Sequence, residues 1–298
     1  MIWDWTLQKW NGFLMIVHWS VFIVATVLVT QFANTRNFRV PIVTHFAEWD
    51  PNTGPVDSTQ KLGLFPFAYV ACVIPLLSAI AHTVAYWKNK SYNTTNLYNT
   101  DRWIEYSFSS TLMFFLICLL FAIYDISTLI ALSTMNASVM FCGYMMEQLN
   151  NKNQLTTSIR WAPFNIGCFI ATVQWALLYS TLSKTNEQMP FLIWIALGSY
   201  FYMFLLFPLN MFSFYMFDNN SVRNFVKLCF LPYTLWYILQ ELFFKWFKNK
   251  NQENSLNVLI TPTKIEKHEK IYMVLSLTSK NLLLWLIIFG VNQPSVYT

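Results

Sequence analysis

One residue in this chain carries charge where the solvent should not allow it. Lys280 interrupts an otherwise charge-free stretch, 271–298, and stands ten residues after Lys270 and ten before Gly290. At about 1.5 Å rise per helical residue it lies roughly 15 Å from either end of a spanning helix, deeper than a lysine side chain can snorkel. An ionisable group at that depth is costly and marks a functional position with a partner. Of the 14 Asp and Glu residues, Glu105 alone falls inside a predicted span by more than a terminal residue, with Asp125 and Glu147 at span ends. A buried Lys–Glu pair suits a register device, an ion-coupling site or an activated amine. The third is the sharpest option: a desolvated lysine is a nucleophile that forms an imine with an aldehyde, and the protonated imine needs a buried counterion, the role open to Glu105. For Glu105 to reach mid-membrane, its helix is expected to begin upstream, around Asn93, drawing Asp101 and Arg102 into a polar vestibule.

The elements that must position this pair are membrane helices. The 298 residues are 55% hydrophobic, 18% aromatic and 11% charged, with mean hydropathy +0.39; soluble domains carry about 25% charged residues. Six runs contain no Asp, Glu, Lys or Arg: 10–35, 62–87, 106–124, 126–146, 161–183 and 188–217. Each is near or above the ~20 residues that span a bilayer. With the seventh run, 271–298, they predict an all-α membrane protein of seven transmembrane helices in one domain, 1–298. The charge-free core of 222–247 runs only from Leu228 to Gln240 and contains Pro232. It reads as an extra interfacial helix between helices six and seven, within a cytoplasmic insertion at 218–265. Lysine and arginine placement agrees: with the N-terminus cytoplasmic and the C-terminus extracellular, 14 of the 19 fall inside and four outside, whereas a spanning 222–247 would leave 8 inside and 10 outside. The loop 33–62, rich in Pro, Asn and Thr, is expected to form an extracellular hairpin cap.

The other bulk features narrow the field. A net charge of +5 with no basic, aromatic-interleaved stripe makes nucleic acid a poor partner. The five cysteines sit singly in apolar stretches, without metal-ligand spacing, and read as packing residues. MIWDWTLQKW lacks a basic n-region and a small-residue cleavage site, so the first apolar run is expected to stay as a helix. Low glycine with abundant asparagine, lysine and phenylalanine suggests an AT-rich genome, viral or protist.

Ser276-Leu277-Thr278-Ser279-Lys280 with Trp285, joined to Arg102-Trp103-Ile104-Glu105-Tyr106-Ser107, resembles the heliorhodopsins, microbial retinal proteins of seven helices with a cytoplasmic N-terminus. Asn136-Ala137-Ser138, Gly143, Gly167-Cys168, Trp175, His18, Ser78 and His82 extend the resemblance over nearly the whole chain apart from about 218–265. The resemblance implies all-trans retinal on Lys280 as a protonated Schiff base, with Glu105 as counterion and Ser276, one turn before the lysine, as its hydrogen-bond neighbour. Ser78 and Ser110 would complete the polar lining beside Tyr106, and His18 and His82 would edge a cavity that receives the proton after illumination. The polyene needs an apolar, aromatic-walled slot, for which the candidate walls are Trp175, Phe201, Phe204, Phe207, Met140 and Gly143. The family also implies a homodimer.

Function follows from what surrounds the pair. Bacteriorhodopsin-like proton pumps place further carboxylates where this chain has Leu116 and Ser276, so the reading is a light sensor rather than a conventional pump, with no enzyme activity expected. Light-activated proton conduction is the alternative, entered through Asp101, Arg102 and Glu105. A retinal-free transporter using Lys280 and Glu105 is a third reading, but no glycine pair punctuates a span to break a helix. Membrane lipid and an unknown cytoplasmic signalling partner are the expected contacts of the insertion.

Overall fold

A computed structural model describes residues 5–88, 99–150, 160–182, 191–215 and 262–291. Among them are nine helices and one hairpin: α1 (Leu7–Gln31), α2 (Ala33–Asn37), β1 (Val40–Asp50), β2 (Gly54–Phe65), α3 (Phe67–Ala71), α4 (Val73–Lys88), α5 (Thr100–Leu120), α6 (Ile126–Leu149), α7 (Ala162–Leu182), α8 (Phe191–Tyr215) and α9 (Pro262–Val291). Among the described residues, seven segments are long and apolar enough to cross a membrane, with α3 and α4 forming one of them, Phe67–Lys88. The interruption at Cys72 has a local cause, since Pro75 has no N–H to give the Ala71 carbonyl. The interfacial reading of 222–247 and nearly all of 218–265 lie outside the described residues.

Side-chain caps set several helix starts. Thr6 Oγ1 accepts from Lys9 N at 3.4 Å at the head of α1. Asn99 Oδ1 accepts from Arg102 N at 3.2 Å at the head of α5, and Asp125 Oδ2 accepts from the N–H and hydroxyl of Thr128, both at 2.8 Å, at the head of α6. Each bond satisfies a donor that the first turn leaves unpaired.

Two boundaries differ from the sequence expectation. α5 starts at Thr100, not around Asn93. The Lys280–Glu105 pair forms without an upstream extension of α5. α9 starts at Pro262, nine residues before the charge-free run. Its opening charges are tolerated because they are paired: Lys270 Nζ meets Glu266 Oε1 at 2.8 Å, four residues away, and Glu269 pairs with Arg102 on α5.

Three apolar clusters pack the bundle, the smallest joining Leu7, Trp10 and Leu14 of α1 to Met273 of α9. One cluster, including Phe114, Leu116, Leu129, Leu178 and Ile288, fills the half nearer the hairpin. Another surrounds the opposite half with Trp103, Tyr106, Met140, Met211 and Tyr272. Phe108, Phe141 and Phe169 point outward at 66%, 58% and 70% exposure, as lipid-facing residues do; within a bilayer, helix association rests on close packing and hydrogen bonds rather than on escape from water.

The hairpin is antiparallel from Val40↔Phe65 to Asp50↔Gly54, with an irregularity between Ile42 and Val43. Gly54 closes the turn at φ +82°, a left-handed conformation that suits glycine, and Asn52 N donates to Asp50 Oδ1 at 2.7 Å. The hairpin is tied to the bundle where Val43 N donates to the Tyr124 carbonyl at 3.0 Å and His45 N donates to Asp125 Oδ1 at 3.2 Å. Partial burial would raise the Asp125 carboxyl, but the donors on Thr128 and His45 outweigh it and hold it below the usual carboxylate range.

Candidate functional site

Three helices meet at Lys280. Its ammonium pairs with Glu105 on α5 and donates to Ser78 Oγ on α4 at 2.7 Å. Ser78 in turn donates to Glu105 Oε1 at 2.8 Å, so lysine, serine and carboxylate form a closed triangle. Ser78 is fully buried and Lys280 only 3% exposed. The lysine nitrogen also lies 5.3 Å from the centroid of the Tyr106 ring, within cation–π range, and that ring is fixed by its hydroxyl donating to the Tyr272 carbonyl at 3.0 Å. Ser276, on the same face of α9 one turn earlier, is buried, and its hydroxyl makes no hydrogen bond. Ser110 donates to the Tyr106 carbonyl at 2.7 Å and accepts from Asn136 Nδ2 at 2.8 Å.

Beyond the lysine lies an apolar cavity lined by Lys280, Ser276, Tyr106, Met140, Gly143, Phe204 and Phe207, among others. Trp175 and Phe201 are not in the lining. They stand one layer out, with Trp175 5.5 Å from Phe204 and 4.8 Å from Phe201, ring centre to ring centre. The lining also contains Trp103 and Tyr272, neither of which sequence reasoning placed on the wall. Gly143 exists for Trp103: a Cβ built there would fall inside the contact distance of the indole Cη2 and Cζ3 and lie 3.0 Å from Cζ2.

The two histidines come together. His18 and His82 stack at 5.4 Å with 7° between their planes, and His82 Nδ1 is 2.8 Å from Asn11 Oδ1. Neither ring nitrogen of the fully buried His18 makes a hydrogen bond. A second cavity touches His82, Glu105, Ser276, Arg102, Asp101 and Glu269.

Sequence reasoning named Arg102 and Glu147 but missed Glu269 and the bridge that joins the three at the far end of that cavity. Arg102 bridges Glu147 of α6 and Glu269 of α9, and all three are buried. Glu147 Oε2 also accepts from Trp103 Nε1 at 2.7 Å. Of the expected vestibule, only Asp101 is exposed, paired with Lys88 at 2.9 Å. The available signal was the four-residue Glu266–Lys270 spacing, which marks helix where the charge-free criterion marks loop.

The site is thus a buried, paired lysine at the end of an apolar cavity in a helical membrane protein. The heliorhodopsin family profile matches residues 7–222, and the chain belongs to the heliorhodopsin family. A comparison with curated proteins finds no match. Heliorhodopsins are retinal-based light-sensing rhodopsins, integral to the membrane, and membership implies a retinal chromophore. The matched stretch ends before α9, and Lys280 contacts Glu105 and Ser78 on helices inside it. The residues fit the group: a primary amine at one end, an apolar wall, a glycine clearing space for an indole, and the unbonded Ser276 hydroxyl beside the amine.

Proposed function

We propose that the protein is a sensory photoreceptor in which all-trans retinal is held by Lys280, with Glu105 as the counterion. The observation that carries the reading is the closed Lys280–Ser78–Glu105 triangle at the mouth of the apolar cavity. Retinal, when bound, supplies visible absorption and a light-driven change of shape. The chain does the rest. Glu105 and Ser78 hold the positive charge on the lysine nitrogen. Tyr106, Met140, Gly143, Phe204 and Phe207 shape the slot and exclude water, with Trp175 and Phe201 bracing it from behind. Ser276 and Ser110 supply hydroxyls at the polar end, and the stacked His18 and His82 form the proton-accepting cavity edge.

A cytoplasmic N-terminus and extracellular C-terminus are supported by the distribution of lysine and arginine, with the hairpin then on the extracellular side. Membrane lipid covers outward residues such as Phe108 and Phe169. The homodimer is carried over from the family resemblance, and the cytoplasmic signalling partner is assigned to the 218–265 insertion. Deleting 222–247 is expected to abolish partner binding while leaving the photocycle intact.

The second cavity, running from Glu105 to Glu269, favours one other reading, light-activated proton conduction. Voltage clamp of cells expressing the protein separates the two. No photocurrent at any potential is expected of the sensor. A light-induced current that reverses at the proton equilibrium potential would replace sensing by conduction.

A further inference from the structure

The second cavity is lined by one of the two stacked histidines and not by the other. His82 shares its wall with Asn11, Glu105 and Ser276, whereas His18, fully buried on α1, stacks against the His82 ring and is not in the lining. A proton that leaves the Lys280–Glu105 pair through this cavity therefore meets His82 first. A neutral histidine carries its hydrogen on one ring nitrogen only, and the partner of that nitrogen decides which of the two is left to accept.

Asn11 is that partner. Its side chain is 3% exposed, and its Nδ2 donates to the Leu7 carbonyl, one turn earlier on α1, at 2.9 Å. This bond fixes which end of the amide faces His82. The reverse orientation would set the amide oxygen against a carbonyl oxygen at the same distance, with no hydrogen between them. Oδ1 is thus the atom that lies 2.8 Å from His82 Nδ1. An amide oxygen can only accept, so Nδ1 holds the hydrogen. Asn11 and His18 stand seven residues apart on the same helix, so α1 both grips Nδ1 and covers one face of the ring. The other titratable groups whose charge reaches His82 are Glu105 from α5, Lys280 from α9 and His18 itself.

We propose that Asn11 is a positioning residue that holds His82 as the Nδ1–H tautomer and so makes Nε2 the atom that takes up the proton. In that step one bond to hydrogen breaks at the Lys280–Glu105 pair and one N–H bond forms at His82 Nε2. The resulting cation still donates from Nδ1 to Asn11. One proton moves and no electron does. The uptake step rests on Lys280 and Glu105 as the chromophore site, whereas the tautomer does not.

The test is nitrogen-15 solid-state NMR of the histidine-labelled full chain in lipid, in the dark and without retinal, at about pH 8, above the ordinary histidine range. The chain has four histidines, so His82→Phe assigns the His82 signals by difference. The expected result is a hydrogen-bearing Nδ1 and a bare Nε2. Asn11→Leu, close in shape but without an acceptor, should move the hydrogen to Nε2 in a large share of the molecules. Asn11→Asp, which keeps an oxygen opposite Nδ1, should restore the parent tautomer. In retinal-loaded protein, flash spectroscopy of Asn11→Leu should show loss of the proton from the Lys280 nitrogen slowed by about fivefold, the equivalent of one net hydrogen bond of about 1 kcal/mol. A bare Nδ1 or a doubly protonated ring in the parent would overturn the proposal without any variant. An unchanged tautomer in Asn11→Leu would overturn it too, as would a parent rate of proton loss in Asn11→Leu once its tautomer has shifted. Failure to form a visible band with retinal would instead sink the chromophore reading and leave the tautomer result standing.

Discussion

Gly143→Ala tests whether the chromophore slot is shaped from behind by the α5–α6 contact. The added Cβ would overlap the Trp103 indole, at 3.0 Å from Cζ2 and closer still to two further ring carbons. Three anchors oppose a retreat of that ring. Its Nε1 donates to Glu147 Oε2 at 2.7 Å, its faces and edges meet Tyr106 and Tyr272, both at 6.1 Å between centroids, and the Arg102 guanidinium lies 5.0 Å from its centre. Overpacking a core by one methyl costs about 1–3 kcal/mol. With about 2–4 °C of Tm per kcal/mol in a chain of this order of size, the thermal midpoint should fall by about 2–12 °C. The assay is heat-induced loss of the visible band, with the absorption maximum recorded beforehand, because a displaced Trp103 narrows the cavity. Trp103→Phe in the same background removes the overlapping six-membered ring and should recover most of the loss, giving a coupling of about 1 kcal/mol or more in the double-mutant cycle. A Gly143→Ala protein melting within about 1 °C of the parent, with an unmoved maximum, would refute the argument.

Three further outcomes follow from single contacts. Ser78→Ala removes the hydroxyl that spreads the negative charge of Glu105, so the carboxylate should bind the lysine nitrogen more tightly and the visible band should move to shorter wavelength. Asp125→Ala removes the α6 cap and the tie to His45 and should cost about 1 kcal/mol in a thermal melt. Because the folded carboxyl is held below its ordinary value, that contribution is full above about pH 5 and fades as pH falls below about 3.9, so the two melting curves should converge in acid. Ala122 occupies φ +57° with an exposed side chain just after α5. Ala122→Gly should therefore stabilise the protein by about 0.5 kcal/mol in the same melt.

The seven spans were legible because lipid demands long runs without charge, and such runs can be counted in the sequence. Lys280 was legible for the same reason, as the one exception in its run, and Glu105 followed as the remaining carboxylate inside a span. Helix boundaries that carry paired charge were not legible. Glu269 looked like a loop residue because its compensation, Arg102, lies 167 positions away and becomes visible only when α5 and α9 pack together. Glu147 was visible only as a span-end carboxylate for the same reason. The slot wall was half legible. Gly143 was singled out, yet the reason for it is an indole on another helix, and 27 phenylalanines in one chain offer no pattern that separates Phe204 from Phe201.

The most direct test of the account is the visible absorption spectrum of the expressed protein with all-trans retinal, recorded beside Lys280→Ala. A visible band is expected in the parent protein and none in Lys280→Ala, the lysine being the amine at the end of the apolar cavity. A band of equal strength in both would place the chromophore elsewhere, and no band in either would return Lys280 and Glu105 to a structural or transport pair.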